Sequence, residues 1–336
     1  MPPAWTAKGA ALRLGRTIAP ALRAAIIAFA ALTAGQAHAA WPDRTITLIV
    51  IFPPGGSNDL LGRLIAAELA PALGQNVIVE NRAGANGNIG LAAGARAAPD
   101  GTTLVVASGV VLINPSVGRV GYDPAKDFAP IAYLGDSPNV ILTRPASGIV
   151  SMSDLIAKAK AAPGKLTFAS PGVGSVSQLA VELLKLRTGI DLIHVPFSGA
   201  APAAQAAIAG TTDLASVSVA GLIGHMQSGT LKALAQTGKE RWPDLPGVPT
   251  LEQAGIANAV VDTSQMFLAP AGTPAPIIDR LAAETRTILQ KPDVREKMLK
   301  ASFAVRYEGP DELRARIVRE VPMWKELVER AGIGEK

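Results

Sequence analysis

The sequence predicts a two-lobed α/β protein, and three observations predict it. Apolar strands alternate with helical stretches. Two such strand–helix series follow one another with no flexible linker between them. Each series carries a strand-to-helix loop rich in glycine and small polar residues. A chain of 336 residues is long for one hydrophobic core and comfortable for two. Hydrophobic residues make up 49% against 18% charged, which fits a folded globular chain. Aromatics reach only 4%, so Ala, Val, Leu and Ile must fill the interior.

The first forty residues differ in kind from the rest. Lys8, Arg13, Arg16 and Arg23 stand there without any acid, an apolar run fills 24–34, and Ala37-His38-Ala39 precedes Ala40. A basic segment, a short apolar segment and an A-x-A site make residues 1–39 a predicted secretory signal. The apolar run is too short to span a bilayer, which takes about 20 residues. Removing those four basic residues from 32 leaves one more than the 27 acidic ones, so the formal charge falls from +5 to about +1. Such a chain has no electrostatic footprint for nucleic acid. The absence of cysteine excludes disulfides, thiolate chemistry, Fe–S clusters and zinc–thiolate sites. No later apolar run approaches spanning length, so the exported chain is expected not to cross a membrane.

Residues 45–52, TITLIVIF, show no alternation and read as a strand buried on both faces, as in a parallel sheet. Pro53-Pro54-Gly55-Gly56-Ser57-Asn58-Asp59 breaks it, and a helical period follows at Leu60, Leu61, Leu64, Ile65 and Leu69, with Asn58 or Asp59 as cap. A strand at 76–80, a turn at 81–90, an Ala-rich helix and a strand at 102–108 complete the first series. Residues 122–128 read as a turn with a short helix, and 131–134 and 139–143 as strands.

The second series starts with a helix at 151–162, Ser151 and Asp154 resembling a capping box. Strands at 166–170, 192–197, 214–219 and 231–236 alternate with helices at 175–187, 200–209 and 221–227. A proline-rich loop covers 241–249, Thr250 is placed to cap a short helix to Ala254, and a strand lies within 260–269. Thr273-Pro274 opens a long helix with Pro in its first turn. Asp293 is expected to cap the next helix, and 311–330 reads as an amphipathic helix bent or interrupted at Pro322.

Four loops are candidates for ligand contact. Residues 53–59 follow a buried strand and open a helix, where glycines admit close approach and free N–H groups favour an anion. Ser170-Pro171-Gly172-Val173-Gly174-Ser175-Val176-Ser177 has the same setting, and Pro196-Phe197-Ser198-Gly199-Ala200-Ala201-Pro202 offers a further amide contact. Arg82-Ala83-Gly84-Ala85-Asn86-Gly87-Asn88 brings Asn side chains. Each is equally readable as a turn and helix cap. No Walker A loop, GxGxxG or GxSxG occurs. Beyond His38 the only histidines are His194, in an apolar strand and expected to be packed, and His225, in a short helix and expected near the surface. Neither has metal-ligand spacing to another His. Glu182 and Lys185 read as a surface pair, and Asp213 as ordering the 210–213 turn.

In order along the chain, Pro53-Pro54-Gly55-Gly56-Ser57-Asn58-Asp59 with Arg63, Val79-Glu80-Asn81-Arg82-Ala83-Gly84-Ala85 with Gly87 and Gly90, Pro99-Asp100-Gly101-Thr102-Thr103-Leu104, Tyr122-Asp123-Pro124 with Asp127-Phe128, Ser170-Pro171-Gly172-Val173-Gly174-Ser175 and Ala269-Pro270-Ala271-Gly272-Thr273-Pro274 form a set. With these, the chain resembles the Bug family, the periplasmic solute-binding proteins of tripartite tricarboxylate transporters, over essentially all of its exported part.

The resemblance implies a periplasmic-binding-protein (Venus flytrap) fold closing on a carboxylate, an aliphatic dicarboxylate being favoured. It implies lobes of 40–143 with 266–336 and of 144–265, and delivery to integral-membrane transporter subunits. The binding set expected is Pro54, Gly55, Gly56, Ser57, Asn58, Asp59 and Asn86 from the first lobe. Ser170, Gly174, Ser175, Gln178, Phe197, Ser198, Gly199, Ala200 and Asp213 come from the second. No cofactor, metal or catalytic residue is expected, and the protein is expected to be a periplasmic monomer. Three departures bear on the ligand. Gln178 stands where many relatives have His, Phe197-Ser198-Gly199 where Tyr-Lys-Gly is common, and Ser264-Gln265-Met266 where a tryptophan often stands. A solute-sensing protein with a signalling partner and a periplasmic enzyme acting on a small acid stay open as alternatives.

Overall fold

The computed structural model describes residues 41–219 and 222–333. The predicted signal, residues 1–39, lies outside them. The chain divides into Met1–Asp43, of which only 41–43 are described, and one compact unit, Arg44–Lys336.

In that unit β1 (Ile46–Val50) pairs in parallel with β2 (Val77–Asn81) on one side and β3 (Thr103–Ser108) on the other. Helix α1 (Ser57–Leu73) and α2 (Asn88–Ala95) are the crossovers, as a parallel series requires. Strand β1 is buried almost throughout, in keeping with its unbroken apolar run. Gly62 lets α1 close on it, since a Cβ there would run into the Val50 side chain.

Helix α3 (Val110–Val117) then leads to β4 (Phe128–Thr143), the spine of the sheet. The two strands expected at 131–134 and 139–143 are this one strand, because β9 (Asp262–Pro270) lies antiparallel along Phe128–Pro138 and supplies partners across the gap. On the other edge of this part runs β10 (Ala304–Glu308). From Asn139 to Thr143 the partners change to β7 (Leu214–Ser218) and β8 (Lys232–Gln236). Parallel pairs join β7 to β5 (Thr167–Ser170) and β5 to β6 (Ile193–Pro196). The order is β2-β1-β3-β9-β4-β7-β5-β6.

The second half carries α4 (Met152–Ala161), α5 (Val176–Thr188), α6 (Ala200–Ala209) and α7 (Ile223–Gln227). The C-terminal part carries α8 (Ala275–Gln290), α9 (Pro292–Lys300) and α10 (Pro310–Arg330). Ser151 caps α4 through a 3.1 Å bond from Asp154 N–H, as the sequence predicts. Other local expectations change. Residues 122–127 and 250–254 hold turns without helix, and Phe128 already belongs to β4. Lys291, not Asp293, is the N-cap of α9, and Asp293 lies inside its first turn. Thr273 turns its hydroxyl back to Pro270 O instead of capping α8. Helix α10 continues through Pro322, which is exposed. Helix α3 and strand β10 have no counterpart in the sequence reading.

One core cluster joins Ile49, Leu112, Met266 and Trp324; others gather around Phe168 and Leu184 and around Val140, Ala203 and Val217. Alanine on α6 lets that helix lie close to the sheet, consistent with an interior short of aromatics. Glu182 is buried, not a surface residue, with Lys185 3.0 Å away. Burial pushes its carboxyl up against the opposing pull of Lys185. Among the described residues no helix is long and apolar enough to cross a membrane.

Candidate functional site

Three of the parallel strands end in loops that run into helices, and those helix starts converge. After β1 the chain turns through 51–56 and enters α1 at Ser57, with Gly56 as N-cap in place of the expected Asn58 or Asp59. After β5, Ser175 caps α5 through Gln178 N–H. After β6, Gly199 precedes α6. A cleft of about 550 Å³ is lined by Gly56, Ser57 and Asn58 from the first start, Pro171, Gly172 and Ser175 from the second, and Ser198, Gly199 and Ala200 from the third. Ligands of open α/β sheets sit at the carboxyl ends of strands in this way.

The floor and walls come from elsewhere. Ser108 ends β3, Asn139 lies on β4, Ser218 ends β7, and Thr263 and Gln265 lie on β9. Phe52, Val110, Val173, Val176 and Phe303 supply apolar wall. No Asp, Glu, Lys, Arg or His is among the described lining residues. Its polarity is that of amides, hydroxyls and three helix N-termini, whose partial positive charge favours an anion. None of these groups is a nucleophile with a base beside it.

Of the predicted set, Gly56, Ser57, Asn58, Asn86, Ser175, Ser198, Gly199 and Ala200 line the cleft. Asn86 is held there by donating to Asn114 Oδ1 at 2.9 Å. The others stand behind or outside it. Pro54 and Gly55 are exposed and do not line it. Asp59 is buried and turned inward, accepting from Gly55 N–H and Arg63 Nε at 2.9 Å and from Asn81 Nδ2 at 2.8 Å. Burial works to raise its carboxyl, but Arg63, the Gly55 N–H and Asn81 outweigh that and hold it below the ordinary range. It braces the first loop.

Ser170 is fully buried, and its hydroxyl lies 2.7 Å from His194 Nε2. Gln178 accepts from Gly174 N–H at 2.8 Å, so both shape the second loop from within. Phe197 packs against the core beneath α6. Asp213 is remote: it accepts from Thr167 N–H and Thr167 Oγ1 at 2.8 and 2.9 Å, at the opposite end of β5 from Ser170. Those partners leave it a structural tie. His194 is half-buried, as expected of a packed residue, and His225 is exposed.

Sequence reasoning missed Ser108, Asn139, Ser218, Thr263 and Phe303, while Ser177 stands in the second candidate loop and Gln265 in one of the three departures that bear on the ligand, neither of them in the expected binding set. Asn139 Oδ1 accepts from Ser177 Oγ at 2.6 Å and links β4 to α5. Polar residues at 0% and 1% exposure, such as Asn139 and Gln265, are the signal that only burial reveals.

A cleft at strand ends, lined by helix starts of an α/β sheet, is the architecture of the periplasmic-binding-protein fold, and similarity to known proteins agrees. The chain is 34% identical to Protein BugT of Bordetella pertussis (strain Tohama I) over 309 residues, 91% of this chain and 95% of that one. It superposes on R. palustris Rpa4515 with adipate at a TM-score of 0.78, with 31% identity over 88% of this chain and 99% of the other. On MatC (Rpa3494) from Rhodopseudomonas palustris with bound malate the TM-score is 0.73, with 34% identity over 86% and 100%. The model of the tripartite tricarboxylate transporter family receptor matches residues 61–333. The chain belongs to that family of receptors.

Proposed function

We propose that this protein captures a small organic carboxylate, an aliphatic dicarboxylate, outside the cytoplasm and hands it to the integral-membrane subunits of a tripartite transporter. The observation that carries this reading is the convergence of three helix N-termini on one cleft with no charged side chain among its described lining residues. Amide donors satisfy a carboxylate well where water is excluded, and charge-assisted hydrogen bonds are stronger than neutral ones. Adipate in Rpa4515 and malate in MatC support the same ligand class. Export by a cleaved signal at 1–39 puts the receptor in the periplasm, where it works as a monomer without chemical turnover.

Two lobes, 40–143 with 266–336 and 144–265, close on the ligand. Strand β4 runs through the change of partners at Asn139 and is the natural hinge. The ligand contacts both lobes and so favours the closed form. The test is a thermal-shift screen of C3 to C10 dicarboxylates, citrate, aromatic acids and amino acids. A ligand of the folded state raises the apparent Tm. A dicarboxylate should give the largest rise; no rise with any acid at millimolar concentration overturns the proposal.

A further inference from the structure

Ser108, the last residue of β3, faces Gln265 of β9 across their antiparallel ladder. One step on, Gly109 N–H donates to Ser264 O at 3.0 Å, so a ladder bond falls there. Bonded and non-bonded pairs alternate, which makes Ser108–Gln265 a pair of the closer, non-bonded kind. Their side chains stand on one face of the sheet with Cβ atoms within about 5.5 Å. Both residues line the cleft. They are 3% and 1% exposed. Ser108 Oγ and Gln265 Nε2 have no partner among the described residues, and neither is sealed from solvent. What stays open of each is therefore open toward the cleft.

Asn58 sets which end of Gln265 this is. Its Nδ2 donates to Gln265 Oε1 at 2.6 Å and leaves Nε2 for the cleft. Turning both carboxamides about would seal the N–H groups of Asn58 without a partner in place of its Oδ1, and orphaned N–H groups are the rarer case.

An O–H and an amide N–H side by side are two donors for one group with two acceptor oxygens. An ionised carboxylate is such a group, since it only accepts. Hydrogen bonds to it are stronger than neutral ones and gain further where water is excluded. An ammonium would meet the Nε2 donor head-on and finds no acid among the described lining residues to balance its charge. These side-chain donors come from the sheet and are separate from the backbone N–H groups of the three helix starts. We infer that Ser108 and Gln265 form a second anchor in the cleft, holding the far carboxylate of a dicarboxylate whose near one sits at the helix starts. This rests on the carboxylate reading above and supplies a reason for two acid groups. Asn58 is the positioning residue of the anchor. A ligand without the second acid leaves both donors unpaired, which is how such a site discriminates.

The test is calorimetry on the purified protein with two matched sets of acids. One is succinate, butyrate and 4-aminobutyrate; the other is adipate, hexanoate and 6-aminohexanoate. In the set that binds better, the dicarboxylate should bind at least about tenfold tighter than the other two, the scale of hydrogen bonds to a charged group. Ser108→Ala and Gln265→Met should weaken the dicarboxylate about tenfold and leave the monocarboxylate unchanged. Gln265→Glu keeps an acceptor for Asn58 and replaces the open donor by an anionic oxygen. It should reverse the order and favour the amino acid over the dicarboxylate, and this reversal decides where the monocarboxylate binds too weakly to measure. Should Gln265→Glu fail to fold, Ser108→Asp puts the same charge on the cross-strand partner and should reverse the order likewise. A dicarboxylate bound no tighter than its matched monocarboxylate, equal losses for the two in the substituted proteins, or an order that neither acidic substitution reverses overturns the second anchor while leaving carboxylate capture standing. Binding of none of the six acids also overturns the anchor, and no response in the wider screen overturns both.

Discussion

Ser170 Oγ lies 2.7 Å from His194 Nε2, and this contact joins the end of β5 to β6 immediately behind the cleft. Phe197 N–H donates to Ser170 O at 2.9 Å, so the second and third loops are tied at two levels. The imidazole also stacks on Phe168, ring centroids 4.9 Å apart. The histidine is therefore a positioning residue for two helix starts at once.

Replacing His194 by Ala should loosen both loops. The expected loss is about 1–2 kcal/mol of stability, the scale of a buried hydrogen bond plus lost packing, with weaker carboxylate binding alongside. Burial, then the charge of Lys185, lowers the His194 pKa to about 4. Between that value and the ordinary 6.5 the unfolded chain binds a proton that the folded chain does not. This residue's contribution to stability therefore falls as pH drops from about 6.5 to about 4. Urea titrations across that range should give a shallower acid slope for His194→Ala than for the unaltered protein; an unchanged slope would remove the imidazole from this account.

Asp262 predicts the opposite slope. It begins β9 beside Thr263 of the cleft floor, opposite Pro138 of β4. Burial first, and the negative charge of Asp136 second, push its carboxyl up to about 7 against the pull of Arg306 and Arg316. Folded Asp262 holds a proton that the unfolded chain has released above its ordinary value of 3.8. Stability from this group is full below that value and is lost as pH rises through about 7. Asp262→Asn keeps the shape and removes the titration, so it should gain at least about 1 kcal/mol relative to the unaltered protein between pH 4 and pH 8. Melting curves at both pH values measure this. A constant difference between the two proteins would show that Asp262 does not titrate with folding.

The parallel strands and the three loop-to-helix passages are legible because each is a continuous string: TITLIVIF, then Pro53 to Asp59, carries its own strand, break and helix start. The cleft floor is not. Gln265 lies in the apolar run SQMFLAP, and its partner Asn58 is 207 residues away, so only sheet order brings them together. Asn139 and Ser177 meet for the same reason, across β4 and α5. Phe303 reaches the cleft because the C-terminal segment adds β10 to the sheet, an antiparallel pairing without a local marker. Asp59 and Gln178 lie in the first turns of α1 and α5, yet their side chains turn back to accept from Gly55 and Gly174 N–H in the loops before them, a choice of direction that no motif encodes.

Asp213 separates support from recognition. Its carboxylate holds Thr167 by two bonds, and Asp213 N–H donates back to Thr167 Oγ1 at 3.0 Å, closing a tie at the start of β5. Asp213→Ala should cost about 2–3 kcal/mol, the range for hydrogen bonds to a charged group. Carboxylate affinity measured well below the melting temperature should be unchanged. Lost binding in a variant of full stability would return Asp213 to the ligand site.

Gly56 and Gly174 make a sharper pair of tests, since a β-branched residue meets different physics at each. Gly56 has φ −78°, and a Cβ there would find only Pro53 O, 3.7 Å away. Gly56→Val should therefore fold with at most about 1 kcal/mol lost, the scale of a weakened N-cap. It adds bulk at a cleft-lining helix start, and carboxylate affinity should drop at least about tenfold, or about 1.4 kcal/mol. Gly174 has φ +74°, and its Cβ would press on Val117 Cγ2 at 3.1 Å. Gly174→Val should lose about 1–3 kcal/mol of stability from that backbone conformation alone, and binding with it. Exposed His225→Ala is the control and should change neither. Paired melting and calorimetry on the three variants distinguish the cases, and a Gly56→Val protein that binds as tightly as the unaltered chain would show that the first helix start does not touch the ligand.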